Sequence, residues 1–156
     1  MSAVVHSINI SSKGGVPKLP IGKAKLNFEG VEGDFNKFRT EKKNSTGTRA
    51  VTLFSLEQIE KLKSEGHAID VGTTGENITV EGIDWPTLEV GARMMIGEAV
   101  IELSEPTAPC SKIGKSFIDG AFSRIDHELE LGWSRWSASV IEEGLVEAGS
   151  QVIILS

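Results

Sequence analysis

The feature that most constrains the fold is the alternation of short apolar runs with glycines. The chain has 156 residues and 17 of them are glycine, which exceeds the usual share of about 7% and implies many tight turns. β-Branched residues fill the apolar runs, and this favours strands over helices. The predicted strands are Val4–Ile10, Ala24–Phe28, Arg49–Phe54, Asn77–Val80, Arg93–Ile96, Ala99–Leu103, Ser137–Ile141 and Gln151–Leu155.

One pair of these strands is predicted to form a hairpin. The dipeptide Gly97–Glu98 separates two apolar runs and is typical of a tight turn. Ala99, Ile101 and Leu103 alternate along the second strand and are expected to face the core. Glu102, which lies between two of them, is expected to face water.

One helix is predicted with clear start and stop signals. Ser55 and Gln58 form a capping box, and Gly66 can end the helix with a positive φ. The apolar stripe of this helix consists of Leu56, Ile59 and Leu62. A weaker pattern predicts a second helix within Phe117–Arg124.

These elements indicate the fold class. Many strands with one or two peripheral helices indicate a mainly β fold, a β-barrel. The length indicates a single domain over residues 1–156.

Composition excludes several classes of protein. A single cysteine cannot form an internal disulfide and indicates a reducing, cytoplasmic setting. The start MSAVVHSINIS lacks the pattern of a signal peptide, and no apolar run approaches the roughly 18 residues of a membrane span. The formal net charge is −6 and tyrosine is absent, so we do not expect nucleic acid as a partner.

Charge is distributed unevenly along the chain. The first fifty residues carry nine Lys and Arg against four acids, a balance of +5, so the remainder carries −11. This excess is either a solvated, loop-rich surface or a cation cluster for a small anion. In SSKGGVPK (11–18), Lys13 and Lys18 flank two glycines whose backbone N–H groups can form an anion-binding nest. Asp34, in VEGDF, is typical of a turn.

Cys110 lies in EPTAPCSKIG (105–114), beyond the apolar run where a packing cysteine would normally lie. Pro106 and Pro109 stiffen the chain before it, and Lys112 and Lys115 follow it. An exposed thiolate beside cations suits a sulfur carrier or a ligand of a soft metal. The alternative, a buried and inert cysteine, remains open.

Several motifs together resemble the MOSC domain, which occurs at the C-terminus of molybdenum cofactor sulfurases and as small stand-alone proteins. The resemblance runs from Ser12 to Val152 and implies a β-barrel surrounded by helices. The motifs that carry it are SSKGGVPK, GVEGD, RAVTLFSLEQIEKL, GENITVEGIDWPTLEVGARMMIGEAVIEL and PTAPC.

The resemblance implies roles for particular residues. Cys110 matches the family's characteristic cysteine, which carries sulfur as a persulfide or binds molybdenum. Glu76 and Asn77 match a G-E-N turn near that cysteine. Arg49 matches a basic position suited to the phosphate of the cofactor, whereas Arg135 is expected to be remote from the site. The other predicted cofactor-binding residues are Lys13, Lys18, Asp34 and Lys112.

The expected cofactor is therefore a small anion, the molybdenum cofactor (molybdopterin), and the expected protein partner is a sulfur donor or a molybdoenzyme. Pyridoxal phosphate is not expected, because nothing resembles the aminotransferase half of the sulfurases. NSTGT (44–48) replaces a His-Gly-Gly stretch that many members carry.

The indole side chains of Trp133 and Trp136 are expected to pack the core or the rim, or to stack on a flat pterin. The three histidines His6, His67 and His127 show no ligand spacing.

The sequence leaves three functions open. The leading hypothesis is a protein that binds the molybdenum cofactor and transfers sulfur through Cys110. The second is a molybdenum-dependent reductase of N-hydroxylated compounds, in which Cys110 is a permanent metal ligand. The third is a non-catalytic module that binds the cofactor. All three require a thiolate beside cations, so whether the protein is an enzyme stays open.

Overall fold

The computed structural model describes residues 3–35 and 47–155. Eleven strands and one α-helix make up the regular structure of these two ranges. The helix is α1, Leu56–Ser64. The strands are β1 Ala3–Ile10, β2 Leu19–Ile21, β3 Lys23–Asn27, β4 Gly30–Val31, β5 Val51–Ser55, β6 Ile78–Glu81, β7 Arg93–Ile96, β8 Ala99–Thr107, β9 Arg135–Glu142, β10 Gly144–Glu147 and β11 Gln151–Ile154.

Seven strands close into a barrel in the order β11–β7–β8–β9–β5–β6–β1. The closing pair is β1 with β11, where Ala3 lies opposite Val152. Strand β2 extends the sheet beyond β1, and β10, β3 and β4 form a separate small sheet. The pair β5–β6 is parallel and the other pairs are antiparallel. The predicted mainly β barrel is confirmed.

Helix α1 begins and ends where the sequence predicts. The Ser55 side chain accepts a hydrogen bond from the backbone N–H of Gln58 at 3.2 Å, which satisfies one of the free donors of the first turn. Ile59 and Leu62 are fully buried, and Gly66 beyond the helix has a φ of +100°. No helix in the described ranges has the length and apolar character needed to cross a membrane.

The second predicted helix, within Phe117–Arg124, is wrong. Short 3₁₀ segments occupy this part of the chain: Ser111–Ser116, Ile118–Gly120 and Phe122–Ile125. Asp119 and Gly120 have φ values of 53° and 71°. Two consecutive residues in the left-handed region interrupt the backbone hydrogen-bond ladder of an α-helix, so the segment folds as separate turns.

The predicted strands are present, and their ends mostly differ by one or two residues from those observed. Strand β8 runs on to Thr107, past the predicted end at Leu103, and carries the chain to the segment before Cys110. The predicted hairpin is confirmed, since Ile96 pairs with Ala99 across the turn. Strands β2, β4 and β10 were not predicted, because runs of two to four residues are too short to show a period.

Alternation along the strands separates the core from a polar side. Leu53, Ile78 and Ala138 are fully buried in the core. Their neighbours point to the opposite side of the sheet, because successive side chains of a strand alternate. We call this side of β9, β5, β6 and β1 the polar face. It is formed by Ser137, Thr52, Thr79, Ser7 and Asn9.

Candidate functional site

Asp34 is the centre of a buried polar network on the polar face. Its carboxylate accepts two hydrogen bonds from Lys18 Nζ, both 2.7 Å, and one from Asn77 Nδ2 at 3.0 Å. The backbone N–H of Ser11 donates to it at 2.8 Å. Lys18 and Asp34 are both buried. The pair therefore ties the SSKGGVPK loop to the turn after β4 and to the start of β6.

Asn77 joins three strands through its side-chain amide. Its Oδ1 accepts from the backbone N–H of Thr52 at 3.1 Å, and its Nδ2 also lies 3.3 Å from the carbonyl oxygen of Asn9. Both ends of the amide thus have protein partners on β5 and β1. The assignment of Lys18, Asp34 and Asn77 to cofactor binding stays a prediction.

Glu76 is fully buried beside this network. Its carboxylate accepts hydrogen bonds from the backbone N–H of Gly72 at 3.1 Å, from Thr74 Oγ1 at 3.0 Å and from Thr79 Oγ1 at 3.2 Å. Burial raises the pKa of Glu76, and the hydrogen bonds from Gly72 and Thr74 and the charge of Arg135 oppose the rise. A carboxylate in this setting orders the turn before β6.

Arg135 links the G-E-N turn to the segment before Cys110. It is only 6% exposed. Its Nη1 donates to the carbonyl oxygen of Thr74 at 2.6 Å and its Nη2 to that of Ala108 at 3.2 Å. Burial lowers the pKa of Arg135, and the negative charges of Glu76 and of a Cys110 thiolate oppose this effect. The prediction that Arg135 is remote from the site is wrong.

The guanidinium of Arg135 also has an unsatisfied atom. In the two described ranges, its Nε is the single buried side-chain nitrogen or oxygen without a hydrogen-bond partner. Such an atom costs free energy and often marks a functional position. Sequence reasoning missed this residue, since an arginine two residues before the predicted strand Ser137–Ile141 carries no signal of where its side chain points.

Cys110 has a free and exposed thiol. Its backbone is extended, with φ −145° and ψ 173°, and it immediately precedes the 3₁₀ segment Ser111–Ser116. Ile113 and Ser116 are buried and anchor that segment, while Arg135 holds the carbonyl of Ala108 on the other side. The thiol is therefore exposed on a backbone fixed at both ends, and the alternative of a buried cysteine is wrong.

Arg49 lies at the edge of a cavity of 230 Å³ that borders the Cys110 segment. Its Nε donates to Glu105 at 2.7 Å, and its side chain is 47% exposed. Thr52, which also lines the cavity, is the residue whose N–H binds Asn77. The cavity thus joins Arg49 to the segment before Cys110, and Thr52 connects it to the buried Asn77. The lining consists of Arg49, Thr52, Glu105, Pro106, Thr107, Ala108 and Ser137.

The remaining predicted site residues lie in the solvent. Lys13 and Lys112 are exposed. In the loop beside Lys13, Gly14 and Gly15 have φ values of +83° and +76°. The N–H of Gly14 donates to the carbonyl of Ser11 at 3.3 Å, and the anion-binding nest stays a prediction. Within the described residues, no group of three or more His, Cys, Asp or Glu side chains has the arrangement of a metal site. Four cations of the predicted cluster, Lys37, Arg39, Lys42 and Lys43, lie outside the described residues.

The two tryptophans of the GWSRW segment do not form a common wall. The guanidinium of Arg124 lies 4.0 Å from the ring centre of Trp133, and the indole N–H of Trp133 donates to Glu130 at 2.9 Å. Trp136 is 4% exposed. Its ring meets the edge of His127 with 6.1 Å between ring centres.

Comparison with known proteins identifies the family. The sequence matches the model of the MOSC domain over residues 25–153. The chain belongs to the MOSC domain family. One relative by sequence is the uncharacterized protein YflK of Bacillus subtilis, which is 33% identical over 82 residues. That match covers 53% of this chain and 36% of YflK, so the chain spans about a third of the length of its curated relative.

Solved structures share the MOSC-type barrel. YiiM from Geobacillus stearothermophilus has a TM-score of 0.75 at 21% identity, covering 99% of this chain and 75% of its own. YiiM from Escherichia coli has a TM-score of 0.72 at 22% identity, covering 100% of this chain and 70% of its own. The YuaD protein of Bacillus subtilis has a TM-score of 0.74 at 19% identity, covering 97% of this chain and 94% of its own. At these identities the likeness establishes the fold.

Proposed function

We propose that the protein binds a molybdenum cofactor, or a related sulfur-bearing species, and carries sulfur for it on Cys110. The observation that carries this proposal is the exposed thiol on an anchored backbone, where the buried guanidinium of Arg135 donates to the carbonyl of Ala108, two residues before Cys110. Thiolates are the reactive form of cysteine, and a neighbouring cation stabilises them. The MOSC family is associated with this cofactor, and membership supports the choice of ligand.

The cavity at Arg49 has the chemistry of a site for the anionic end of such a ligand. Its walls carry the hydroxyl groups of Thr52, Thr107 and Ser137 and the guanidinium of Arg49. Guanidinium and hydroxyl donors suit the oxygens of a phosphate. When bound, the cofactor would supply a molybdenum centre with sulfur ligands of its own, for which one thiolate is a suitable additional donor.

Loading of sulfur onto Cys110 needs no outside oxidant or reductant. The thiolate attacks the outer sulfur of a donor persulfide, and a new sulfur–sulfur bond forms on Cys110. The donor's own sulfur–sulfur bond breaks, and its thiolate leaves with the electron pair. The outer sulfur of the Cys110 persulfide can then pass to an acceptor thiolate in the same way, and the Cys110 thiolate leaves with the electron pair. Transfer to a molybdenum centre would in addition require that centre in its reduced form, because the sulfur takes up two electrons as it becomes a sulfide ligand.

A labelling experiment tests the carrier role directly. Because the chain has a single cysteine, label held on a thiol reports Cys110 alone. The protein is mixed with cysteine persulfide carrying radioactive outer sulfur, desalted, and treated with cyanide to release that sulfur. We expect near-stoichiometric label on the wild type and none on Cys110→Ser.

A displaced thiol provides the matched control. Ser64 is exposed at the end of α1, so the double variant Cys110→Ser, Ser64→Cys places one surface thiol away from Arg135. Loading of this control as fast as the wild type would contradict the proposal. A different outcome would assign Cys110 as the metal ligand of a reductase. In that case the purified wild type contains stoichiometric molybdenum and releases no labelled sulfur, and Cys110→Ser loses the metal.

A further inference from the structure

A second cavity lies on the other side of β9 from the polar face. Trp136 alternates with Arg135 and Ser137 along the strand and lines this cavity instead of the polar one. Its volume is 410 Å³, within the range of about 300–1,000 Å³ that is typical of small-molecule sites. The cavity is lined by Trp85, Pro86, Leu88, Glu89, Val90, Pro106, His127, Leu131, Gly132, Ser134 and Trp136.

The floor of this cavity is aromatic and its rim is apolar. Trp85 and Trp136 are 2% and 4% exposed and form the deep part. Val90 and Leu131 are 64% and 70% exposed. Val90 and Leu131 both lie at the rim of the same cavity. One bound molecule would therefore remove both side chains from water, and the burial of their apolar surface favours binding.

Few polar groups remain free to select the ligand. The indole N–H of Trp85 donates to the carbonyl of Ser134 at 2.7 Å, so it is already used within the protein. His127 presents a half-buried imidazole whose ring packs on Trp136. Glu89 is exposed at the rim and adds a negative charge. The cavity therefore combines indole surfaces with an acidic edge.

We propose that this cavity binds a small planar aromatic compound that carries an amino group. Its ring would pack on the tryptophan floor, where aromatic pairs gain more than their buried area alone provides. Its ammonium group would lie near the exposed carboxylate of Glu89 at the rim, which attracts cations. This site is independent of Cys110 and of the proposed sulfur transfer.

Two probes with the same ring and opposite charge test the proposal. Tryptamine and indole-3-acetate share an indole and differ in the sign of their side-chain charge. Titrations followed by ligand-detected saturation-transfer NMR give a dissociation constant for each. We expect saturable binding of tryptamine, about two- to fivefold tighter than indole-3-acetate, the effect of one exposed ion pair. No saturable binding of either probe would overturn the proposal.

Variants on the rim locate the site. Leu131→Asn should weaken the binding of both probes, because it removes apolar surface from the rim without adding charge. The control Leu129→Asn changes a neighbouring leucine that is 71% exposed and does not line the cavity, so it should leave binding unchanged. Equal losses from the two variants would overturn the location. Glu89→Gln should remove the preference for tryptamine and retain binding of the ring; an unchanged preference would overturn the role of Glu89.

Discussion

The buried pair Lys18–Asp34 allows a prediction about stability. In Asp34→Ala the ammonium of Lys18 loses both of its 2.7 Å hydrogen bonds to the carboxylate. The Lys18 side chain is only 11% exposed, so water cannot replace them fully. Ser11 and Asn77 lose an acceptor as well. Removing one partner of a buried pair costs about 3–5 kcal/mol, and we expect a loss of this size.

An exposed pair of the same barrel serves as the control. Arg93 Nε and Glu102 Oε1 are 3.0 Å apart, but their side chains are 49% and 36% exposed. Glu102→Ala should therefore cost only about 0–1 kcal/mol. Urea unfolding at one pH gives the free energy of unfolding for each variant, with the slope checked for two-state behaviour.

A double-mutant cycle separates the unpaired charge from the other lost contacts. Lys18→Met in the Asp34→Ala background removes the stranded ammonium, so the double variant should lose less than the sum of the single losses. The reasoning is refuted if Asp34→Ala costs no more than Glu102→Ala, or if the two single losses simply add.

Three further predictions follow from single residues. Burial holds the pKa of Glu76 above its ordinary value of 4.5, so the folded state keeps this proton to higher pH than the unfolded chain. The wild type should lose stability relative to Glu76→Gln as the pH rises from about 4.5 through the folded pKa, and parallel pH profiles in urea would contradict this. Ser55→Ala removes the cap of α1 and should cost about 1 kcal/mol by thermal or urea unfolding; an unchanged midpoint contradicts it. Arg49→Ala should weaken binding of a phosphate-bearing pterin about tenfold in a titration at fixed salt, whereas the exposed control Arg93→Ala should change it little; equal losses would indicate diffuse electrostatics.

Local signals were sufficient to predict most of the barrel. β-Branched runs between glycines mark the long strands, and Ser55, Gln58 and Gly66 mark the ends of α1 because caps act within a few residues. The failure at Phe117–Arg124 has a local cause as well. An apolar residue every few positions resembles a helix, but the left-handed Asp119 and Gly120 break the segment into turns.

The sequence predicted the site correctly at Cys110, where residues next to it in the chain determine that the side chain is exposed. Prolines and lysines around Cys110 indicated an exposed thiol, and the thiol is exposed. The contacts of Arg135 join residues 61 and 27 positions away in sequence, and no local pattern encodes such a contact. The pairing of Lys18 with Asp34 depends in the same way on how two loops fold over the polar face.

Transfer of sulfur away from Cys110 tests the central claim most directly. The wild type and the double variant Cys110→Ser, Ser64→Cys are each loaded as persulfides. Each is then mixed with the reduced form of a molybdenum cofactor that lacks its terminal sulfur, because the transferred sulfur takes up two electrons as it becomes a sulfide ligand. Intact-mass measurements then follow the loss of one sulfur atom from the protein over time. We predict that the wild type loses this sulfur to the cofactor much faster than the control does. Retention of the sulfur by the wild type, or equal rates of loss from the two proteins, would contradict the proposed function.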